Sequence, residues 1–463
     1  MHTTKEGGVA HEHSLDHAVE FFSKAGSIFS GGESFYGSEE TALSLFQKVW
    51  IVDKEEAFKL LLWLRDCRGG AGNRSGFREC LTWVAKHDPV WVRLNLGWIP
   101  EVGRWDDLRS LFGTPVEERA SRTWAAAIRE KDVLAAKWAD RKDKPVKHAL
   151  GIKKEGEFRR LLASIRTKHI VEHKMSMKNW EAIEYPKVPS VAMSRYTNAF
   201  MRNDPERFQD FKASLRRGEV DIKADVLFPH DCVRTLFHGD SEIADAQFEA
   251  LPNYMEGVDE RIIVIADTSG SMDVRVSGSV RAVYISQGIA LYCSAKIPSE
   301  NLFHKKFIGF GSEGRFVNWN GMTFSEAVRD PVIFDEAIAQ TRVDRALDLI
   351  LETAKFFNLS QDQIPTTLLI VSDMQFHRGS ASAEAEVAAA LRKWEEQGYR
   401  KPKVVYWNTA GYAGQPDTVY GDNIAMVSGF SPAILKSIFS GQDFTPRAVM
   451  ERALEKYKIF VPE

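Results

Sequence analysis

A chain of 463 residues, 44% apolar and 27% charged, is long enough for roughly two to four domains that each bury a real core. Its formal net charge of −3 excludes a uniformly basic coat, so binding to nucleic acid requires a local basic face. No apolar run approaches the roughly 18–20 residues that span a bilayer, and the polar start Met1–Gly8 lacks the apolar core of a secretion signal. Cys67, Cys80, Cys232 and Cys293 form no C-x-x-C pair, which points to reduced thiols in a cytoplasmic protein, and with no spanning run no membrane partner is expected.

In chain order, residues 1–35 are Gly- and Ser-rich around a short helical piece and are expected to be a flexible leader. His11, His13 and His17 within it read as a solvated tail rather than a metal cluster. Residues 36–255 carry the helical period. Asp53 followed by Glu56 has capping-box spacing before the apolar run Ala57–Leu64, and Phe77, Cys80, Leu81 and Val84 mark one face of the next helix. Short helices over Val90–Leu96 and Arg104–Leu111 follow, so the segment predicts an α-helical repeat domain. Its tryptophans sit in apolar helical contexts and read as core.

Between the first two helices lies Arg65-Asp-Cys-Arg68-Gly-Gly-Ala-Gly-Asn-Arg74. Three arginines among glycines suit a phosphate cradle, and equally a helix C-cap and turn. Residues 141–180 hold 12 Lys/Arg against 4 Asp/Glu, and Arg159, Arg160, Arg166 and Lys168 lie on an amphipathic helix. These seven cations, Arg65, Arg68, Arg74, Arg159, Arg160, Arg166 and Lys168, are the candidate RNA contacts. Whether they converge on one surface separates RNA binding from a solvated face.

Residues 256–463 alternate strand-length apolar runs with amphipathic helices: Arg261–Ala266, Val280–Ala295, Phe303–Phe310, Arg345–Phe357, Thr367–Val371, Glu384–Trp394, Val404–Trp407 and Ile424–Val427. This is the pattern of a doubly wound α/β domain whose ligands bind at the carboxyl ends of its strands. There the first strand runs into Asp267-Thr-Ser269-Gly-Ser271 and a later one into Asp373, with Thr341 before a helix between them. Two carboxylates and three hydroxyls make an oxygen-only donor set, suited to Mg²⁺ or Mn²⁺ with bound waters.

Asp267, Ser269, Ser271, Thr341 and Asp373, in that order, resemble the metal-ion-dependent adhesion site of von Willebrand type A domains. Ala339-Gln340 stands where that family usually has Gly-Gly. The resemblance implies a Rossmann-like type A domain whose cation keeps a position open for an acidic group of a partner. It also implies binding rather than catalysis, and no Ser/His/Asp order, Walker loop or H-E-x-x-H supplies an enzyme's groups.

With Leu134–Trp138, Val188-Pro-Ser190 and Phe228-Pro-His230, the arginine-glycine segment resembles the family catalogued as domain of unknown function 2828, from about residue 38 to the end. The order of parts is similar to the Ro (TROVE) proteins, in which a ring of helical repeats closes on a type A domain and binds small structured RNAs and single-stranded RNA ends. The expectation is therefore a HEAT-like, TROVE-like helical domain joined to a type A domain. Its expected partner is small structured or single-stranded RNA, without enzymatic activity. The alternative is an assembly scaffold, phage-encoded or virion-associated, whose cation captures an acidic protein ligand.

Overall fold

The computed structural model describes residues 2–3, 9–10, 16–28, 41–166, 170–277, 280–310, 314–334, 343–374, 383–410, 423–440 and 444–462. Helices occupy the chain from Ala42–Val52 to Ser241–Glu249, and a mixed α/β half follows, as expected. Its sheet has six strands: β1 (Ile262–Asp267), β2 (Lys306–Phe310), β3 (Gly314–Asn318), β4 (Thr367–Ser372), β5 (Lys403–Asn408) and β6 (Ile424–Ser428). Their order is β6-β5-β4-β1-β2-β3, with neighbours parallel except where β3 runs antiparallel along the edge of β2. The sequence reading misses β3, because only Val317 of its five residues is buried and an edge strand shows little of the apolar pattern.

The strand order reverses between β1 and β4, which is where an open sheet of this kind forms its binding crevice. Both strands are buried at every residue, and their register pairs Ile262 with Thr367 and Ala266 with Val371. They therefore end level, and Asp267 and Asp373 emerge at the same carboxyl edge.

Side chains alternate between two different surroundings. Ile263, Ile265, Leu368 and Ile370 pack with the helices Val343–Phe356 and Ala383–Glu396. Ile262, Val264, Ala266, Leu369 and Val371 belong to a core that continues through the helix Ala282–Lys296 to Phe22, Leu61, Trp63 and Phe77. One sheet face is thus the floor of the helical half, and the two halves share a core.

The leader expected over residues 1–35 is corrected for residues 16–28. Asp16 accepts from the N–H groups of Ala18 (2.9 Å) and Val19 (3.2 Å), capping a helix over His17–Lys24 whose Val19, Phe21 and Phe22 are fully buried. The segment is sewn to the ends of β5 and β6: Ser428 Oγ donates to Phe22 O (2.7 Å), Gly26 N to Ser428 Oγ (3.1 Å), and Ser27 Oγ to Asn408 O (2.6 Å). A Cβ on Gly26 would come within 2.8 Å of Gly429 N, so this approach needs a glycine. The short helical piece is legible in the sequence, but its docking is not, because the partners Asn408 and Ser428 lie some four hundred residues on. Within it His17 lies 3.7 Å from Glu20; His11 and His13 are outside the described residues.

The other end of the chain returns the exchange. Asn95 Nδ2 donates to Phe460 O (2.8 Å) and Phe460 N to Asn95 Oδ1 (2.7 Å), while Tyr457 OH donates to Asp66 Oδ2 (2.9 Å). Asp53 caps the Lys54–Arg65 helix through Glu56 N (2.9 Å), but the reciprocal half of the predicted capping box is absent. The Glu56 carboxylate pairs instead with Arg447 of the last helix, Pro446–Leu454.

Candidate metal centre and basic face

At the edge between β1 and β4, Asp267 is fully buried and its oxygens are directed from two sides. Ser269 N donates to Oδ1 (2.9 Å) and Ser372 Oγ donates to Oδ2 (2.7 Å). Ser269 is extended (φ −62°, ψ 162°), and a 3₁₀ turn over Gly270–Asp273 then brings Ser271 back, so that the two serine Oγ atoms lie 3.0 Å apart. Asp373 follows the last residue of β4 and is fully buried; Ser269 and Ser271 are nearly so. The structure thus brings four of the five expected ligands to one sheet edge. Thr341 lies outside the described residues.

Two neighbours went unrecognised. Ser372 orients Asp267 and also accepts from Met374 N (3.1 Å), while the buried Thr409 donates its N–H to Ser372 O (3.0 Å). Ser372 stands directly before Asp373, and a hydroxyl at that position was the available signal. Among the described residues no three His, Cys, Asp or Glu side chains cluster as a metal site. The donors here are two carboxylates and hydroxyls, which fit a hard, partly hydrated divalent cation rather than zinc.

The backbone of the arginine-glycine segment is not a phosphate cradle. Its N–H groups are spent internally: Arg68 N (2.8 Å) and Gly69 N (3.0 Å) donate to Asp66 Oδ1, Gly70 N to Asp66 O (3.1 Å), Ala71 N to Trp63 O (3.0 Å), and Asn73 N to Leu64 O (2.8 Å). Gly72 holds a left-handed φ of +75° with Phe228 against it, and Gly429, at φ +100°, would place a Cβ 2.9 Å from Ala71 Cα. The motif is a turn that docks the helical half onto the loop after β6.

Two of its three arginines are held by carboxylates of the same half. Arg65, 3% exposed, donates from Nε to Asp107 Oδ2 (2.8 Å). Arg74 Nε (3.2 Å) and Arg78 Nε (2.7 Å) reach Asp107 Oδ1, and Arg74 also pairs with Asp106. Burial alone would raise the Asp107 carboxyl, yet Arg65, Arg78 and Arg74 outweigh it and hold it below its usual range. Arg65 and Arg74 are thereby removed from the RNA contacts expected of them. Arg166 is removed too: its guanidinium caps the Val133–Trp138 helix at Ala136 O (2.8 Å) and Ala139 O. Lys168 lies outside the described residues.

Arg159 and Arg160 are exposed. With Arg141 and Lys142, also exposed, they line an open groove in which none of the four has an ion-pair partner among the described residues. Arg141 and Lys142 were counted in the basic stretch but not singled out, since nothing local placed them opposite the later helix. The described candidates therefore do not converge: Arg68 lies beside the last helix, away from this groove.

Comparison with known proteins gives the following likenesses. The profile of the domain of unknown function DUF2828 matches residues 4–157 and 125–262, together more than half of the chain. The chain belongs to the DUF2828 family. The match begins before residue 38 and ends at the start of the sheet; residues 261–458 of this DUF2828 chain match a second profile, domain of unknown function DUF7788. An uncharacterized protein of Acanthamoeba polyphaga mimivirus, L728, is 25% identical over 479 residues, covering 90% of this chain and 82% of that protein. The crystal structure of the Deinococcus radiodurans RO (RSR) protein superposes with a TM-score of 0.46 at 14% identity, over 95% of this chain and 99% of that one. The other motif residues of this DUF2828 chain are packing devices. Arg104 stacks over Trp138 (4.7 Å), Phe228 meets Gly72, and His230 meets Phe430 (5.3 Å between ring centres).

Proposed function

We propose that this DUF2828 protein is a non-enzymatic RNA-binding protein whose sheet edge is a von Willebrand type A metal site. The observation that carries the RNA reading is the groove of Arg141, Lys142, Arg159 and Arg160, four exposed cations without ion-pair partners among the described residues of a near-neutral chain. Small structured or single-stranded RNA is the ligand this face suits, since both present closely spaced phosphates. Salt dependence tests it, with a slope of roughly −0.7 per neutralised phosphate on single strands. Reversal of the four residues to Glu should flatten the slope and weaken all sequences alike, because phosphates carry no sequence information. Equal binding by wild type and variant, no tighter than about 10⁻⁴ M at physiological salt, would reduce the groove to a solvated face.

Asp267, Ser269, Ser271 and Asp373 would hold Mg²⁺ or Mn²⁺, with Thr341 added by the type A resemblance and Ser372 positioning Asp267. Bound there, the cation supplies an open position for an acidic oxygen. A second reading, capture of an acidic protein group by an assembly scaffold, is favoured by the dispersal of Arg65, Arg68 and Arg74 away from the groove. Under that reading partner capture should vanish with EDTA and return with Mg²⁺ or Mn²⁺; capture that ignores chelation overturns it. No helix among the described residues is long and apolar enough to cross a membrane.

A further inference from the structure

A pocket distinct from the groove and the sheet edge has the most distinctive chemistry of those among the described residues. It lies where the arginine-glycine turn, the short helix Trp98–Val102, the interhalf loop at Tyr254 and the chain's last two helices meet, and its volume is 440 Å³. That falls within the roughly 300–1,000 Å³ of small-molecule sites. Its wall is both aromatic and cationic. Trp98 packs edge-on against Tyr457 (6.0 Å), Tyr254 lies under Lys436 Nζ (5.4 Å), and Arg68 and Arg452 complete the rim.

The charges there are unevenly satisfied. Asp66 receives four donors, from Arg68 N, Gly69 N, Lys456 Nζ (2.6 Å) and Tyr457 OH, so its charge is engaged within the wall. Arg452 Nε donates to Ser437 O (2.8 Å). Arg68 and Lys436 differ: both are exposed, and neither has a carboxylate within ion-pair distance among the described residues. Among the described residues the Arg68 guanidinium spends one N–H, on Glu101 O (3.1 Å), although it belongs to a segment whose other arginines are locked into Asp106 and Asp107. Glu101 adds one carboxylate at the rim, and the lining still carries more positive than negative groups. Cations left without counter-ions beside aromatic faces suit a ligand with a flat ring and an anionic group.

We propose that this pocket binds a nucleoside monophosphate, its phosphate between Arg68 and Lys436 and its base against Trp98 and Tyr254. The site is separate from the basic groove and does not depend on the RNA reading. The nucleotide is either free or the 5′-phosphorylated terminus of an RNA.

Calorimetric titration of the full chain with AMP, UMP, adenosine and inorganic phosphate tests this. AMP and UMP should bind comparably, because stacking and phosphate contacts tolerate any base. Adenosine and phosphate alone should each bind at least tenfold more weakly. Arg68→Ala combined with Lys436→Ala should raise the Kd for AMP at least tenfold with the melting temperature unchanged, while Lys436→Arg alone should retain most of the affinity. Reversal of Arg141, Lys142, Arg159 and Arg160 to Glu should leave AMP binding intact, which separates this site from the groove. Competition by a 5′-phosphorylated oligoribonucleotide, but not by its circular form, would assign the ligand to an RNA end; absence of such competition would assign it to free nucleotide. If neither AMP nor the 5′-phosphorylated oligoribonucleotide binds at millimolar concentration, or if the double variant binds AMP like wild type, the proposal is overturned.

Discussion

Asp107→Ala should destabilise the protein by about 3–5 kcal/mol, the range for removing one partner of a buried ion pair. Asp107 is fully buried and accepts from Arg65, Arg74 and Arg78 side chains and from Arg104 N (2.9 Å), so its loss strands the buried Arg65 guanidinium. Urea unfolding should show a clearly lower midpoint. The exposed Arg122–Glu118 pair is the control, and Arg122→Ala should cost about 0.5 kcal/mol or less. Equal midpoints for the two variants would rule out a structural role for the cluster. The pH dependence follows from the sign of the shift. Because the folded carboxyl lies below its usual range, its stabilisation is present above about pH 3.9 and disappears as the pH falls through the folded value. The variant should therefore lose less stability than wild type on acidification.

Asp267→Asn should abolish Mg²⁺ binding while leaving the fold nearly unchanged. The amide keeps an oxygen for one of the two donors, Ser269 N and Ser372 Oγ, but removes one of the two formal charges in the donor set. Ser372→Ala should retain binding with affinity lowered roughly 10–100-fold, as for outer partners that orient a ligand. Calorimetric titration with MgCl₂ measures both. Unchanged Mg²⁺ affinity in Asp267→Asn would eliminate the sheet edge as the site, and an undiminished affinity in Ser372→Ala would assign Ser372 no positioning role.

The resemblance to DUF2828 rested on segments that the structure turns into packing devices, and this explains its reach. Gly72, Gly429 and Phe228 must meet at one seam, so the sequence there is constrained by close backbone approach rather than by a ligand. The same constraint misled the functional reading. Arginines beside glycines have the right chemistry for phosphate, for carboxylates or for helix carbonyls, and the spacing of Arg65, Arg68 and Arg74 does not distinguish them.

What the sequence by itself determined is local. Strand-length apolar runs alternating with amphipathic helices require a covered, mostly parallel sheet, and Asp-x-Ser-Gly-Ser after the first run places Asp267, Ser269 and Ser271 on the turn that leaves it. Such features are set within a few residues by side-chain period and backbone freedom. Tertiary structure alone decided which long cations remain free. Arg65 and Arg74 meet Asp106 and Asp107 some thirty to forty residues on, and Arg166 meets carbonyls some thirty residues back. It also decided that residues 16–28 close the sheet they precede by more than two hundred positions. The reason is physical: a helix cap or strand alternation is satisfied by near neighbours, whereas a guanidinium on a long flexible stem takes its partner from whatever the folded chain brings within reach.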